Sequence, residues 1–174
     1  QAMANTSAIA GANEEQMKKL ENAALEMGKK TTKTATEASE ALGYMALAGW
    51  DVDTSIASLE PVLRLSEATQ MDLATCSDLV TDSMRALGLT ADQLTDYLNV
   101  TCQANNKSNT TAQALMEAMI GCGGAAKSAG MDYKQTAAAL GILANNGVKG
   151  AEAGTALNSM LVRMTTKDVA QKAF

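Results

Sequence analysis

Ala41-Leu42-Gly43-Tyr44-Met45-Ala46-Leu47-Ala48-Gly49-Trp50 holds the only tryptophan of the chain, one of its three tyrosines and no charge. Its spacing predicts the buried end of a helix. Gly49 stands where the helix stops, because glycine at C′ takes the left-handed conformation that closes a last turn. Trp50 follows at C″, the position that folds back onto that turn. The pattern returns 98 residues later as Ala139-Leu140-Gly141-Ile142-Leu143-Ala144-Asn145-Asn146-Gly147-Val148. Ala41 and Ala139, Leu42 and Leu140, Gly43 and Gly141, Ala46 and Ala144, Gly49 and Gly147 match in register. Farther on, Leu59 and Leu63 fall opposite Leu157 and Leu161. One helical unit used twice is the expectation, with Gly43, Gly49, Trp50, Gly141 and Gly147 as its structural positions.

Composition agrees with helix. The 174 residues are enough for a domain with a real core, and 47% are hydrophobic but only 3% aromatic. Ala, Leu and eleven Met supply the core instead, and Pro61 is the only proline. The runs of Val, Ile and aromatics that mark strands are absent. A net charge of −5 excludes a basic footprint for gripping nucleic acid. No histidine is present, so the commonest metal ligand and general base is missing. Cys76, Cys102 and Cys122 are odd in number and widely spaced, which fits free buried thiols in a reducing compartment. No basic segment leads into an apolar run at the start, and no apolar run approaches 18 residues. The chain begins without Met and stops at Phe174 with no closing pattern, so a piece of something longer is expected.

Caps and periodicity predict an all-α, compact bundle of seven to nine short amphipathic helices. Residues 1–12 are expected to be flexible or frayed, 13–166 to form the helical core domain, and 167–174 to be the start of a following helix or a truncated end. Asn13 caps a helix with the stripe Met17, Leu20, Ala24 and Met27, stopped by Gly28. Thr34 and Glu37 have capping-box spacing before a helix over about 35–48. Asp53 is placed to cap the next, and Pro61 is expected to break it into pieces of about 54–59 and 61–67. Thr69 and Asp72 open a helix carrying Leu73, Cys76, Leu79, Val80, Met84 and Leu87, ended by Gly88. Thr90 and Gln93 open another, and Asn105 to Asn109 reads as a polar turn. Thr110 or Thr111 starts a helix with Leu115, Met116, Met119 and Ile120. Gly121-Cys122-Gly123-Gly124 either interrupts it or lets another helix approach, which makes Gly121, Gly123 and Gly124 a candidate hinge. Asp132 caps the second copy of the opening helix, and a last one carries Leu157, Met160, Leu161 and Met164.

Catalytic chemistry finds little footing. Gly121 to Ser128 nearly matches G-x-x-x-x-G-K-[ST], but Ala126 replaces the second glycine. The motif also needs a preceding strand, where Met116 to Ile120 reads as helix. Glu14 with Glu15, Glu37 with Glu40, and Asp72, Asp78 and Asp82 fall at caps and on polar faces, not on apolar stripes where a perturbed acid would sit. Ser or Cys hydrolase chemistry lacks its histidine, and no CxxC spacing exists for a metal. No catalytic, cofactor or metal residue is assigned.

Ser39 to Asp51 resembles the core region of phage tail tape measure proteins, of the type found in tailed phages and prophages of Gram-positive bacteria. The resemblance continues through Asp72-Leu73-Ala74-Thr75-Cys76-Ser77-Asp78-Leu79-Val80-Thr81-Asp82, Ala86-Leu87-Gly88-Leu89, Ala139 to Gly147, and Lys149-Gly150-Ala151-Glu152-Ala153-Gly154-Thr155-Ala156-Leu157. It covers roughly residues 13–165, and the Gly121-Cys122-Gly123-Gly124 run departs from it in being richer in glycine. It implies a structural virion protein of the tail tube lumen, present in the host cytoplasm during assembly. Such a protein sets tail length and leaves the tube ahead of the DNA. The implied partners are tail tube and tail tip or baseplate proteins, assembly chaperones and other copies of itself. Specific nucleic-acid binding is not implied, whereas contact with the host membrane at ejection is. The alternatives are a membrane-active, pore-forming helical domain and a peptidoglycan-degrading domain.

Overall fold

A computed structural model describes the backbone of residues 2–172 and the side chains of residues 5, 6 and 8–166. Among the described residues the regular elements are all helical: α1 Ala2–Ala10, α2 Glu14–Lys30, α3 Ala35–Leu47, α4 Val52–Thr69, α5 Leu73–Leu87, a 3₁₀ turn Ala91–Gln93, α6 Leu94–Lys107, α7 Ala112–Ser128, α8 Tyr133–Asn145 and α9 Gly150–Lys172. They form two compact units, Gln1–Thr81 and Asp82–Phe174. The expectation for residues 167–174 falls partly outside the described residues. Up to Lys172 the backbone continues α9.

In the first unit α3 is the central helix, packed by α1, α2 and α4. Its inner face, Ala38, Ala41, Leu42 and Met45, is fully buried. Small residues allow this: a Cβ on Gly43 would lie 3.2 Å from Thr6 Oγ1 of α1. The Thr6 hydroxyl donates to Ser39 O at 2.8 Å in the same buried seam. In the second unit α9 is the principal neighbour of α7, and α8 is packed by α6, α7 and α9. Leu115, Met116, Met119 and Cys122 of α7 are buried with Leu140 of α8 and Leu157 of α9. The Tyr97 hydroxyl of α6 donates to Ser83 Oγ at 2.6 Å, so this fully buried phenol keeps a partner.

The 98-residue offset seen in the sequence reappears in the helix boundaries. α2, α3 and α4 start at Glu14, Ala35 and Val52, and α7, α8 and α9 start at Ala112, Tyr133 and Gly150. Caps recur with them. Asn13 accepts from Gln16 N and Thr34 from Glu37 N, while Thr111 accepts from Ala114 N and Asp132 from Gln135 N.

Several local expectations give way. α4 runs through Pro61 without a break. An interior proline costs about 3 kcal/mol. Val52, Leu59, Val62, Leu63 and Leu65, all buried, hold both halves of α4 against the core and offset it. Asp51, not Asp53, caps that helix, accepting from Thr54 N at 2.9 Å. Thr69 belongs to α4, so Asp72 alone caps α5, accepting from Thr75 N at 3.0 Å. Gly28 does not stop α2, which ends two residues later. A Cβ there would lie 2.8 Å from Ala35 N, so the glycine serves close approach at the start of α3. Asn105, Asn106 and Lys107 form the last turn of α6, with Ser108 as its C-cap. Met17, Ile120, Met160 and Met164 are exposed. On α9 the inward ridge is Ala153, Gly154, Leu157 and Leu161, because the small pair lets the helix lie close to α7.

Candidate functional site

The two corners that follow α3 and α8 are built alike. Gly49 has φ +87° and Gly147 +92°, the left-handed conformation that a Cβ disfavours. Trp50 N–H donates to Met45 O and Val148 N–H to Leu143 O, both at 3.0 Å. Gly49 N–H donates to Ala46 O at 2.9 Å and Gly147 N–H to Ala144 O at 3.0 Å. These paired bonds define a Schellman closure and satisfy the last carbonyls of each helix. The side chains differ from the expectation of a buried helix end. Leu47 is 65% exposed and Trp50 only partly buried. The burial of the opening stretch stops at Met45 because Leu47 falls on the outer face of α3.

Gly43 and Gly141 occupy matching places, each turned toward the helix that precedes the pair. A Cβ on Gly141 would lie 2.5 Å from Ser108 Oγ. Gly121 to Ser128 lies wholly inside α7, so there is no loop to cradle a phosphate. A Cβ on Gly123 would fall 2.8 Å from Ala86 C and O, and one on Gly121 would be 3.5 Å from Gly154 Cα. Gly124 faces open space. Asn158 Nδ2 donates to Gly121 O at 3.1 Å and adds a bond between α9 and α7.

Sequence reasoning did not single out Gly154 for its backbone role, where a Cβ would lie 2.5 Å from Ala118 O. Nothing in local periodicity marks it, since an interior helical glycine reads as a weak spot. The contact of Thr6 with Ser39, and the brace of Glu67 on the loop between α2 and α3, were likewise missed. Thr32 donates to Glu67 Oε1 from its backbone at 2.6 Å and from its hydroxyl at 2.7 Å. Long-range bonds of this kind leave no spacing signal.

Electrostatics follow the caps. The Thr34 amide and then its hydroxyl hold Glu37 below the ordinary carboxylate range. Asp51 and Asp72 are lowered chiefly by the amides of Thr54 and Thr75, and Glu67 by the Thr32 hydroxyl and amide. Lys134 and then Tyr133 lower Asp96 on the seam between α6 and α8. Burial pushes the Cys122 thiol up to about 11, which leaves it protonated and unreactive at neutral pH. None of Cys76, Cys102 and Cys122 is joined in a disulfide, and Cys102 is half-buried. These shifts describe helix ends and braces; none places a perturbed acid beside a second functional group in a cleft. Among the described residues no group of three His, Cys, Asp or Glu side chains could hold a metal ion. Among them, no helix is long and apolar enough to cross a membrane.

Known proteins resemble this chain in sequence. Residues 21–174 match the family model of phage-related minor tail proteins. The chain is 34% identical over 162 residues to the tape measure protein of Pneumococcus phage Dp-1, covering 93% of this chain and 14% of that protein. It is 27% identical over 149 residues to the probable tape measure protein of Escherichia phage P2, covering 86% of this chain and 18% of that one. The chain therefore spans less than a fifth of the length of these curated relatives. No solved structure matches it. An all-α chain with a repeated capped frame, matched over most of its length by tape measure proteins, belongs to the phage-related minor tail protein family.

Proposed function

We propose that this chain is a structural segment of a tape measure protein, one that sets tail length during assembly and leaves the tube at DNA ejection. The observation that carries the reading is the 34% identity to the pneumococcal phage tape measure protein over 93% of the chain. Helix rise supplies the physical logic, since ~1.5 Å per residue converts chain length into distance. A segment folded into compact units is a poor ruler. Its role is to anchor the long chain or help start assembly, in the host cytoplasm and then in the tube lumen. Its partners are tail tube and tail tip or baseplate proteins, assembly chaperones and other copies of itself. It has no enzymatic activity of its own. Gly43, Gly49, Trp50, Gly141 and Gly147 are structural positions in this reading. Gly121, Gly123 and Gly124 bend α7 when the chain is drawn through the tube.

Deleting this segment from the phage gene tests the proposal, beside an equal deletion elsewhere in the same gene. The control deletion is expected to shorten tails by about 260 Å, which is ~1.5 Å for each residue removed. Deleting this segment is expected to abolish tails. Viable tails shortened by the same amount would make the segment part of the ruler and end the anchoring reading. Dye release from liposomes at acidic and neutral pH would favour the membrane-active alternative. Clearing of a peptidoglycan zymogram would favour an enzyme.

A further inference from the structure

The two Schellman corners act as an internal control for each other. Their backbones agree in φ and in hydrogen bonding. The second is made with Asn145, Asn146 and Val148, so the turn needs no large apolar side chain. The first carries Leu47, Ala48 and Trp50 at the same places, with Leu47 65% exposed and Trp50 partly exposed. Partly exposed Tyr44 lies one turn before Leu47 on α3. One exposed apolar residue is ordinary, as Ile142 is on α8. A Trp and a Leu together on one corner, beside a Tyr, have the composition of a binding anchor.

The rim has a sign. Asp51 and Asp53 follow Trp50 directly. Lys19 lies 3.9 Å from both Glu15 and Asp53, which brings the first turn of α2 beside the first turn of α4. Glu14, Glu15, Asp51 and Asp53, all exposed, therefore border the corner, against Lys18 and Lys19. The surrounding unit is acidic as a whole, with twelve Asp and Glu against six Lys and Arg. At the second corner Lys149 stands where Asp51 does at the first.

We propose that the Leu47–Trp50 corner is a docking surface for a protein segment that presents an apolar side chain flanked by lysines or arginines. The apolar side chain covers Leu47 and Trp50, and the flanking cations meet Asp51, Asp53 and Glu15. The charges speed encounter and select the partner. The second corner exposes Ile142 in place of Tyr44, but with Asn145 for Leu47, Lys149 for Asp51 and Ala151 for Asp53 it lacks both the Leu47 contact and the acidic rim, and so rejects the same segment. The proposal stands whether or not the segment anchors a tape measure.

Trp50 is the only tryptophan, so its emission reports on the corner directly. The chain is titrated with an amphipathic helical peptide of Leu and Lys, and with the same pattern in Leu and Glu. The Leu/Lys peptide is expected to give a saturable blue shift that fades as salt screens the rim. The Leu/Glu peptide should give none. Leu47→Asn, which copies the second corner, should weaken binding about tenfold, the size of one lost anchor contact. Asp53→Asn should weaken it less and flatten its salt dependence. Unchanged circular dichroism in both variants separates lost binding from lost folding. Equal affinity in Leu47→Asn, equal binding of the Leu/Glu peptide, or no shift with either peptide would overturn the proposal. A blue shift that grows with concentration of the chain alone would assign the corner to a second copy and also overturn it.

Discussion

α2 and α4 of the first unit start in the same register as α7 and α9 of the second, yet the two pairs pack differently. α9 is the principal neighbour of α7, whereas α2 lies mainly on α3. At α7 and α9 the facing residues are Ala118 and Gly154. The register-equivalent residues of the first unit are Leu20, which is buried, and half-buried Ile56. Where both residues are small, the backbones come close enough that a Cβ on Gly154 would lie 2.5 Å from Ala118 O. Where both are large, core volume is supplied by side chains instead. Caps and glycine stops set the shared frame, while side-chain size at two positions sets which helices of that frame are drawn together.

Giving the second unit the first unit's residue should have the largest effect. Gly154→Ile is expected to destabilise the second unit by about 3 kcal/mol, because the obstructing atoms are backbone and cannot step aside. Hydrogen exchange should then show lost protection in α7 and α9 with α2 and α4 unchanged. Gly123→Ala should follow at about 2 kcal/mol, since its Cβ would meet the Ala86 backbone at 2.8 Å. Its loss of protection should centre on the last turn of α5 and on α7. Gly49→Ala and Gly147→Ala sharpen the similarity rather than the difference. Each should cost about 1 kcal/mol, and nearly the same amount, because both positions hold the same left-handed backbone. Unequal costs, read from amide exchange at the ends of α3 and α8, would mean that the corner side chains contribute to folding.

The smallest expected effect concerns Glu67. Its bonds from Thr32 favour the ionised form in the fold. That contribution is complete above the unfolded-state pKa and is lost as pH falls through the lower folded-state value. Glu67 is only partly buried and its bonds lie at the surface, so the effect is small. The chemical shifts of Thr31 to Thr34 should follow a low-pH titration in the wild type and lose it in Glu67→Gln. The loop between α7 and α8 is a built-in control, with Thr165 at the place of Glu67.

Local codes are legible along the chain. Asn13, Thr34, Thr111 and Asp132 cap the helices expected of them, and the helix-stopping glycines lie in the left-handed region. Each such device acts within four or five residues, so spacing in the sequence describes it fully. Spacing fails where a neighbour distant in the chain decides. Pro61 reads as a break, but the packing of both halves of α4 outweighs the missing bond. Gly28 reads as a stop, but Ala35 needs the room. Met160 and Met164 read as core, but the inward ridge of α9 is Ala153, Gly154, Leu157 and Leu161, which turns both Met side chains outward. At the corner, the glycine stop is readable from Gly49. The exposure of Leu47 is not, because it depends on which face of α3 the other helices cover.

The helical class, the starts of most helices, several of their ends and the repeat of one frame at a 98-residue offset are all readable in the sequence. Those properties rest on backbone bonds and caps that close within a turn. Tertiary packing set which helices touch, made Gly123 and Gly154 spaces for other backbones, and left Leu47 exposed and Trp50 partly exposed at an acidic corner. The reason is that contact depends on volume and direction summed over residues far apart in the chain, and a linear pattern records neither.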